Sequence, residues 1–259
     1  MKDRIIGAII VVTALIVSLL LGDIVFNITM TIAALFGLKE LIDIKYEKEK
    51  IDFVKISSGI FLTLFLLNGA LYKIEEKFLI ILPILGLIIP MIFYNNKNRY
   101  NINDAFYFLG IVYFLAFSFG TIIGMRDISI AKCVYIFIIS FATDTYAYIG
   151  GMLIGKHKLT DISPKKTIEG TIVGTAMGVF MGALFYHTLV GDISLAKVII
   201  MSFVLTILSE IGDLVFSSIK RYFGKKDYSN LIPGHGGILD RFDSVIFVSL
   251  GMALILSLF

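Results

Sequence analysis

The sequence predicts an all-α, polytopic integral membrane protein with about nine transmembrane helices and a polar site facing the cytoplasm. Three observations predict it. Of the 259 residues, 58% are hydrophobic and only 17% charged, with a mean hydropathy of +0.91. Soluble domains are nearer about 45–50% apolar and about 25% charged, so no polar surface could cover this chain. The apolar residues also fall in runs close to the roughly 20 residues that cross a bilayer core of about 30 Å. Finally, Lys and Arg are spread unevenly between alternate loops. In lipid the backbone must satisfy its own hydrogen bonds, so such runs are helices. The two-residue alternation of a membrane barrel is missing.

The runs follow in order. The first, about 5–22, comes after Met1-Lys2-Asp3-Arg4 like the opening of a signal peptide. No small-x-small cleavage site follows and another run begins at once, so a retained span is expected. The second, about 24–38, is short, and Gly22-Asp23 makes a hinge before it; eight or ten spans therefore stay open. The stretch 38–55 balances both charge signs and reads as a solvated cytoplasmic connector. Further runs lie at about 56–72, 78–94, 105–124, 130–151, 170–190, 195–218 and 243–259. With nine spans, 18 of the 23 basic residues share the N-terminal side. A cytoplasmic N-terminus is expected, in a membrane such as the bacterial inner membrane. Cys133 is the single cysteine, so no intrachain disulfide forms. Trp is absent, and the 12 Tyr could supply an interfacial belt. Residues 1–128 read as anchor helices and 129–259 as the catalytic region.

Unusual polar residues gather from Asp144 onward. Asp144 lies inside the sixth run, where a charge costs about 2.5–3.5 kcal/mol on insertion scales, so it should face a cavity or a partner. In "SPKKTIEG" (163–170), Ser163 could cap a helix with Pro164 in its first turn. Lys165 and Lys166 at such a start oppose the helix dipole. Either a bound anion or snorkelling to lipid phosphates would explain them. In "LSEIGDLVFSSIKR" (208–221), Glu210, Asp213, Ser217 and Lys220 recur on one helix face. Two carboxylates one turn apart at membrane depth need a cation, a base or water.

The richest stretch is "KRYFGKKDYSNLIPGHGGILDRFDS" (220–244). Lys220, Arg221, Lys225 and Lys226 place four positive charges in seven residues. Gly236 and Gly237 leave backbone N–H groups open, which suits phosphate oxygens. Asp240 and Asp243 stand one turn apart with Arg241 between them, and a simple N-cap would explain only one of the two. Mg²⁺ prefers oxygen ligands and is usually held by one or two carboxylates plus substrate phosphates. These residue types therefore point to metal-dependent phosphoryl or nucleotidyl transfer at the inner face of a membrane. A cation-coupled transporter built on Glu210 and Asp213 remains a different explanation. It leaves the Lys/Arg cluster and the His235-Gly236-Gly237 turn without a purpose.

The pattern Ser217-x-Ile219-Lys220-Arg221, Lys226-Asp227, then Pro233-x-His235-Gly236-Gly237-Ile238-x-Asp240-Arg241-x-Asp243 resembles the C-terminal signature of the phosphatidate cytidylyltransferases (CDP-diacylglycerol synthases). "DTYAYIGG" (144–151), "SPKKTIEG" and "EIGDLVFSSIKR" (210–221) are similar to other stretches of that family. The resemblance covers about residues 142–243. It implies synthesis of CDP-diacylglycerol and pyrophosphate from CTP and phosphatidic acid with Mg²⁺, with room for a second cation. It implies that Asp213 and Asp240 hold metal, with Ser217 and Lys220 beside them. Arg221 and Asp243 join these two as expected catalytic residues. Asp144, Lys165, Lys166, Lys226, His235, Gly236, Gly237 and Arg241 are expected to bind substrate. The expected partners are CTP, phosphatidic acid and the bilayer, with no nucleic acid; a homodimer is implied by the resemblance alone. The same reaction on another lipid acceptor stays open.

Overall fold

The computed structural model describes residues 2–46, 52–93, 100–232, 234 and 236–256. Among them are nine α-helices: α1 (Lys2–Leu21), α2 (Asp23–Tyr46), α3 (Asp52–Leu66), α4 (Glu76–Ile88), α5 (Ile102–Ile128), α6 (Ile130–Ile154), α7 (Ile168–Leu189), α8 (Leu195–Tyr222) and α9 (Leu239–Leu256). No strand occurs among the described residues, so the all-α class holds. Among the described residues, five helices, α2, α5, α6, α7 and α8, are long and apolar enough to cross a membrane. The helices begin near the starts of the apolar runs because those runs are what lipid and the protein core accept, but their ends differ: α2 continues to Tyr46, past the expected 38, and α3 and α4 stop at Leu66 and Ile88, short of 72 and 94.

The chain forms two compact units. One comprises residues 1–123 with Tyr228–Ile238; the other comprises Gly124–Asp227 with Leu239–Phe259. In the first unit α2 packs on α1 and α3, and α3 on α4. Polar ties join α5 to its neighbours. The Tyr107 hydroxyl donates to the Leu41 carbonyl at 2.7 Å. Asp104 accepts from Lys45 at 3.2 Å and from the Tyr46 hydroxyl at 2.6 Å. One expectation is corrected here. Of the expected connector 38–55, residues 38–46 are the last turns of α2, with Leu38, Glu40, Leu41, Ile42 and Ile44 buried, 52–55 open α3, and 47–51 lie outside the described residues. In 38–46 the apolar spacing of three and four residues is helical, and it outweighs the charges interleaved with it.

In the second unit α6 packs along α7, and α8 packs on α7 and α9. Four glycines of α7, at 170, 174, 178 and 182, share its buried face. They let the two backbones approach closely. A Cβ added at Gly174 would stand 2.7 Å from both the Ala147 Cβ and the Thr143 carbonyl oxygen. Lys132, near the start of α6, meets Asp192, just after α7, at 2.6 Å, so the two helices run antiparallel.

Candidate active site

The loop 155–167 between α6 and α7 is folded back on itself. Leu159 N–H donates to the Lys166 carbonyl and Ile168 N–H to the His157 carbonyl, each at 2.9 Å. Glu169, in the first turn of α7, accepts from the backbone N–H of Lys156 and His157 at 3.0 and 3.2 Å and meets His157 Nδ1 at 2.5 Å. The expected cap at Ser163 is corrected. The helix starts at Ile168, and Thr167 is its N-cap, its hydroxyl accepting from Gly170 N–H at 3.1 Å. Lys165 and Lys166 therefore lie in the loop ahead of the helix, where the dipole does not oppose them as strongly.

This fold-back delivers Lys166 to the acidic face of α8. Its Nζ stands 2.8 Å from Asp213 Oδ2 and 3.3 Å from Glu210 Oε2. Burial pushes the Lys166 pKa down, but the Asp213 and Glu210 carboxylates outweigh it and hold it above the ordinary lysine value. The Ser217 hydroxyl donates to Asp213 Oδ1 at 3.2 Å, one turn further along α8. Asp144 on α6 accepts from the Ser244 hydroxyl of α9 at 2.9 Å. It lies close enough to Asp213 to interact with it electrostatically, and Asp243 interacts with both. Lys220 is attracted to Asp243 and sits 2.7 Å from Asp240 Oδ1. Five carboxylates thus gather around two half-buried lysines.

A cavity of about 330 Å³ opens onto this cluster, lined by Asp144, Lys165, Lys166, Glu210 and Asp213 among others. One flank is formed by Tyr148 and Met152 of α6, both exposed. Not every expected residue lies on its wall. Arg221 Nη1 donates to the Lys225 carbonyl at 3.0 Å and closes the turn after α8. Lys226 and Arg241 are exposed. Gly236 and Gly237 belong to the other unit, and His235 lies outside the described residues. The sequence reasoning missed Thr167, Glu169 and Ser244. A Thr-x-Glu-Gly start was a readable capping signal; Ser244 carried none, since serines are common in such helices.

Among the described residues, no three His, Cys, Asp or Glu side chains converge as a cage for a metal ion. The donors around the cavity are hard carboxylate oxygens, and Glu210 Oε1 is buried without a hydrogen-bond partner. Such a set fits Mg²⁺ shared between one or two carboxylates and substrate phosphates. It does not fit an ion held by protein alone.

Helices able to span a membrane, and a cavity where lysines meet carboxylates beside α8, define a membrane-embedded protein equipped for phosphate chemistry. A family model described as "Cytidylyltransferase family" matches residues 2–259, and the chain belongs to that family. It is 34% identical over 253 residues to a phosphatidate cytidylyltransferase of Staphylococcus haemolyticus, covering 96% of each chain. Proteins of the same name from Staphylococcus aureus and Staphylococcus epidermidis are each 34% identical, over 256 and 254 residues, again with 96% of each chain covered.

Proposed function

We propose that the chain transfers a cytidylyl group from CTP to phosphatidate, making CDP-diacylglycerol and pyrophosphate. The observation that carries this is the cavity wall on which Lys165 and Lys166 meet Asp144, Glu210 and Asp213. The acceptor follows from the name shared by relatives matched along nearly their whole length.

In the reaction, a phosphate oxygen of phosphatidate attacks the α-phosphorus of CTP. The bond to the bridging oxygen of the β-phosphate breaks, and pyrophosphate leaves with that electron pair. A phosphomonoester's second pKa is about 6, so the nucleophile is already anionic near neutral pH and needs no strong general base. The obstacle is repulsion between two polyanions. Lys165 and Lys166 would neutralise phosphate on the cavity wall, with Lys220, Arg221, Lys226 and Arg241 adding positive charge around the mouth. Asp213 and Asp240 would hold Mg²⁺ together with phosphate oxygens, with room for a second cation, and the ion would supply charge neutralisation at the leaving group. Lys166 and Lys220, paired with Asp213 and Asp240 in the substrate-free protein, would be the cations nearest to that phosphate. Ser217 fixes the orientation of Asp213, and Ser244 that of Asp144. Asp243 would add attraction for Lys220, and Gly236 and Gly237 with His235 would give donors to phosphate.

The nine-span arrangement, the cytoplasmic N-terminus and a cytoplasm-facing site are part of the same proposal, supported by the order of nine α-helices among the described residues, five of them long and apolar enough to cross a membrane, and by the Lys/Arg asymmetry. CTP then arrives from water. The lipid enters past Tyr148 and Met152 with its acyl chains still in the bilayer. The test is pyrophosphate release from CTP by purified protein in lipid. Release is expected with phosphatidate and not with diacylglycerol or a dolichol-like alcohol. Release with an alcohol instead would reject the acceptor, and release with none would reject the transfer.

A further inference from the structure

Glu40, among the helices read as anchors, is only 4% exposed. A carboxylate placed there is costly unless it is hydrogen-bonded. Its Oε1 accepts from the Ser229 hydroxyl at 2.7 Å and from the Ile238 N–H at 2.9 Å. These donors stand at opposite ends of the segment Tyr228–Ile238, which carries Gly236 and Gly237 and belongs to the same compact unit as Glu40. Within the segment, Ile232 N–H donates to the Gly236 carbonyl at 2.9 Å, and Gly236 takes φ +81°. Gly237 needs no unusual backbone angle, yet a Cβ there would lie 2.5 Å from Glu40 Cδ and 2.6 Å from Oε2. Gly237 is therefore what makes room for the carboxylate.

We propose that Glu40 is a positioning residue for the reaction: it pins both ends of the loop Tyr228–Ile238, so that the loop is ordered before a nucleotide phosphate arrives. The proposal rests on the cytidylyl-transfer reading above. Ile238 is also two residues ahead of Asp240 in the chain, so the same bond fixes the backbone where it enters α9. A loop released from Glu40 must be ordered by the substrate itself, which lowers apparent affinity by the fraction of time the loop is competent.

The test combines kinetics with hydrogen exchange on the full-length protein in lipid. A hydrogen bond to a charged group is worth about 1.5–3 kcal/mol, roughly tenfold or more. Glu40→Ala should therefore raise the KM for CTP by about tenfold or more, change kcat less, and speed exchange in residues 228–238. Glu40→Gln should recover most of the loss, because its amide oxygen can keep both acceptor roles. Gly237→Ala should resemble Glu40→Ala, and adding it to Glu40→Ala should cost little more. Should Glu40→Ala fail to fold, Ser229→Ala decides, since it removes the Ser229 bond and leaves the carboxylate in place. Unchanged KM and unchanged exchange in the variants that fold would overturn the proposal, as would fully additive losses at positions 40 and 237. If wild type transfers no label at all, the functional reading fails instead, and the exchange data alone then decide whether Glu40 orders the loop.

Discussion

Replacing Lys166 by Met should destabilise the protein and abolish turnover for separable reasons. The Lys166 and Glu210 side chains are 18% and 5% exposed, so the pair belongs with buried ion pairs. Removing one partner of such a pair costs about 3–5 kcal/mol, because a charge is left uncompensated. Asp213 is 28% exposed and keeps some water, which places the cost near the lower end, about 3 kcal/mol. Met retains most of the apolar stem, so lost packing adds little. For a chain of this size each kcal/mol shifts the melting temperature by about 2–4 °C, giving a fall of roughly 6–12 °C. Thermal melting in detergent, followed by the emergence of buried Cys133 to a thiol dye, would read it. Adding Glu210→Gln should return much of the stability by removing the stranded charge, and should not return activity. A melting temperature within about 2 °C of wild type for Lys166→Met would refute the buried triad, as would full recovery of turnover in the double variant.

Other outcomes are as specific. Gly174→Ala should cost about 1–3 kcal/mol by overpacking α7 against Ala147 and Thr143, read as a lower melting temperature. Asp192 is held below the usual aspartate range: burial raises it, but hydrogen bonds from Lys132 and Tyr186 outweigh that. A lowered folded-state pKa contributes stability that is present above the unfolded value and lost as pH falls through the folded one. Asp192→Asn should therefore narrow the stability gap from wild type only below about pH 4, in melting curves taken across that window. EDTA should stop turnover while barely moving the melting temperature of the substrate-free protein. Mg²⁺ with CTP should raise that temperature more than Mg²⁺ alone if, as proposed, the ion is shared with phosphate.

Much of the fold was legible because lipid permits so few solutions. Long apolar runs had to be helices, and the hinge at Gly22 falls between α1 and α2. What stayed hidden were helix ends where charge and apolar spacing conflict. Residues 38–46 read as polar because Lys39, Asp43 and Lys45 interrupt them, yet Leu38, Leu41, Ile42 and Ile44 carry the helical period. Of the candidate site, Glu210 and Asp213 stood out as charges in apolar surroundings, Lys166 as one of two lysines at an expected helix start, and Asp240 by its one-turn spacing from Asp243. The sequence could not tell which lysine meets which acid, because the loop fold-back brings Lys166 to residues 44 positions away. Glu40 was invisible for the same reason: one of its partners is 198 residues distant. Ser244 holds Asp144 across 100 residues, and no local spacing announces such a pair.

The most direct test of the account uses CTP labelled in the cytosine ring and at the α-phosphate, with phosphatidate, Mg²⁺ and purified protein in lipid. Both labels should enter the lipid phase together in a one-to-one ratio, matched by released pyrophosphate, and neither should do so with Asp213→Asn or Asp240→Asn. Labels that stay in the aqueous phase with folded wild-type protein, or that reach the lipid undiminished in those two variants, would contradict it.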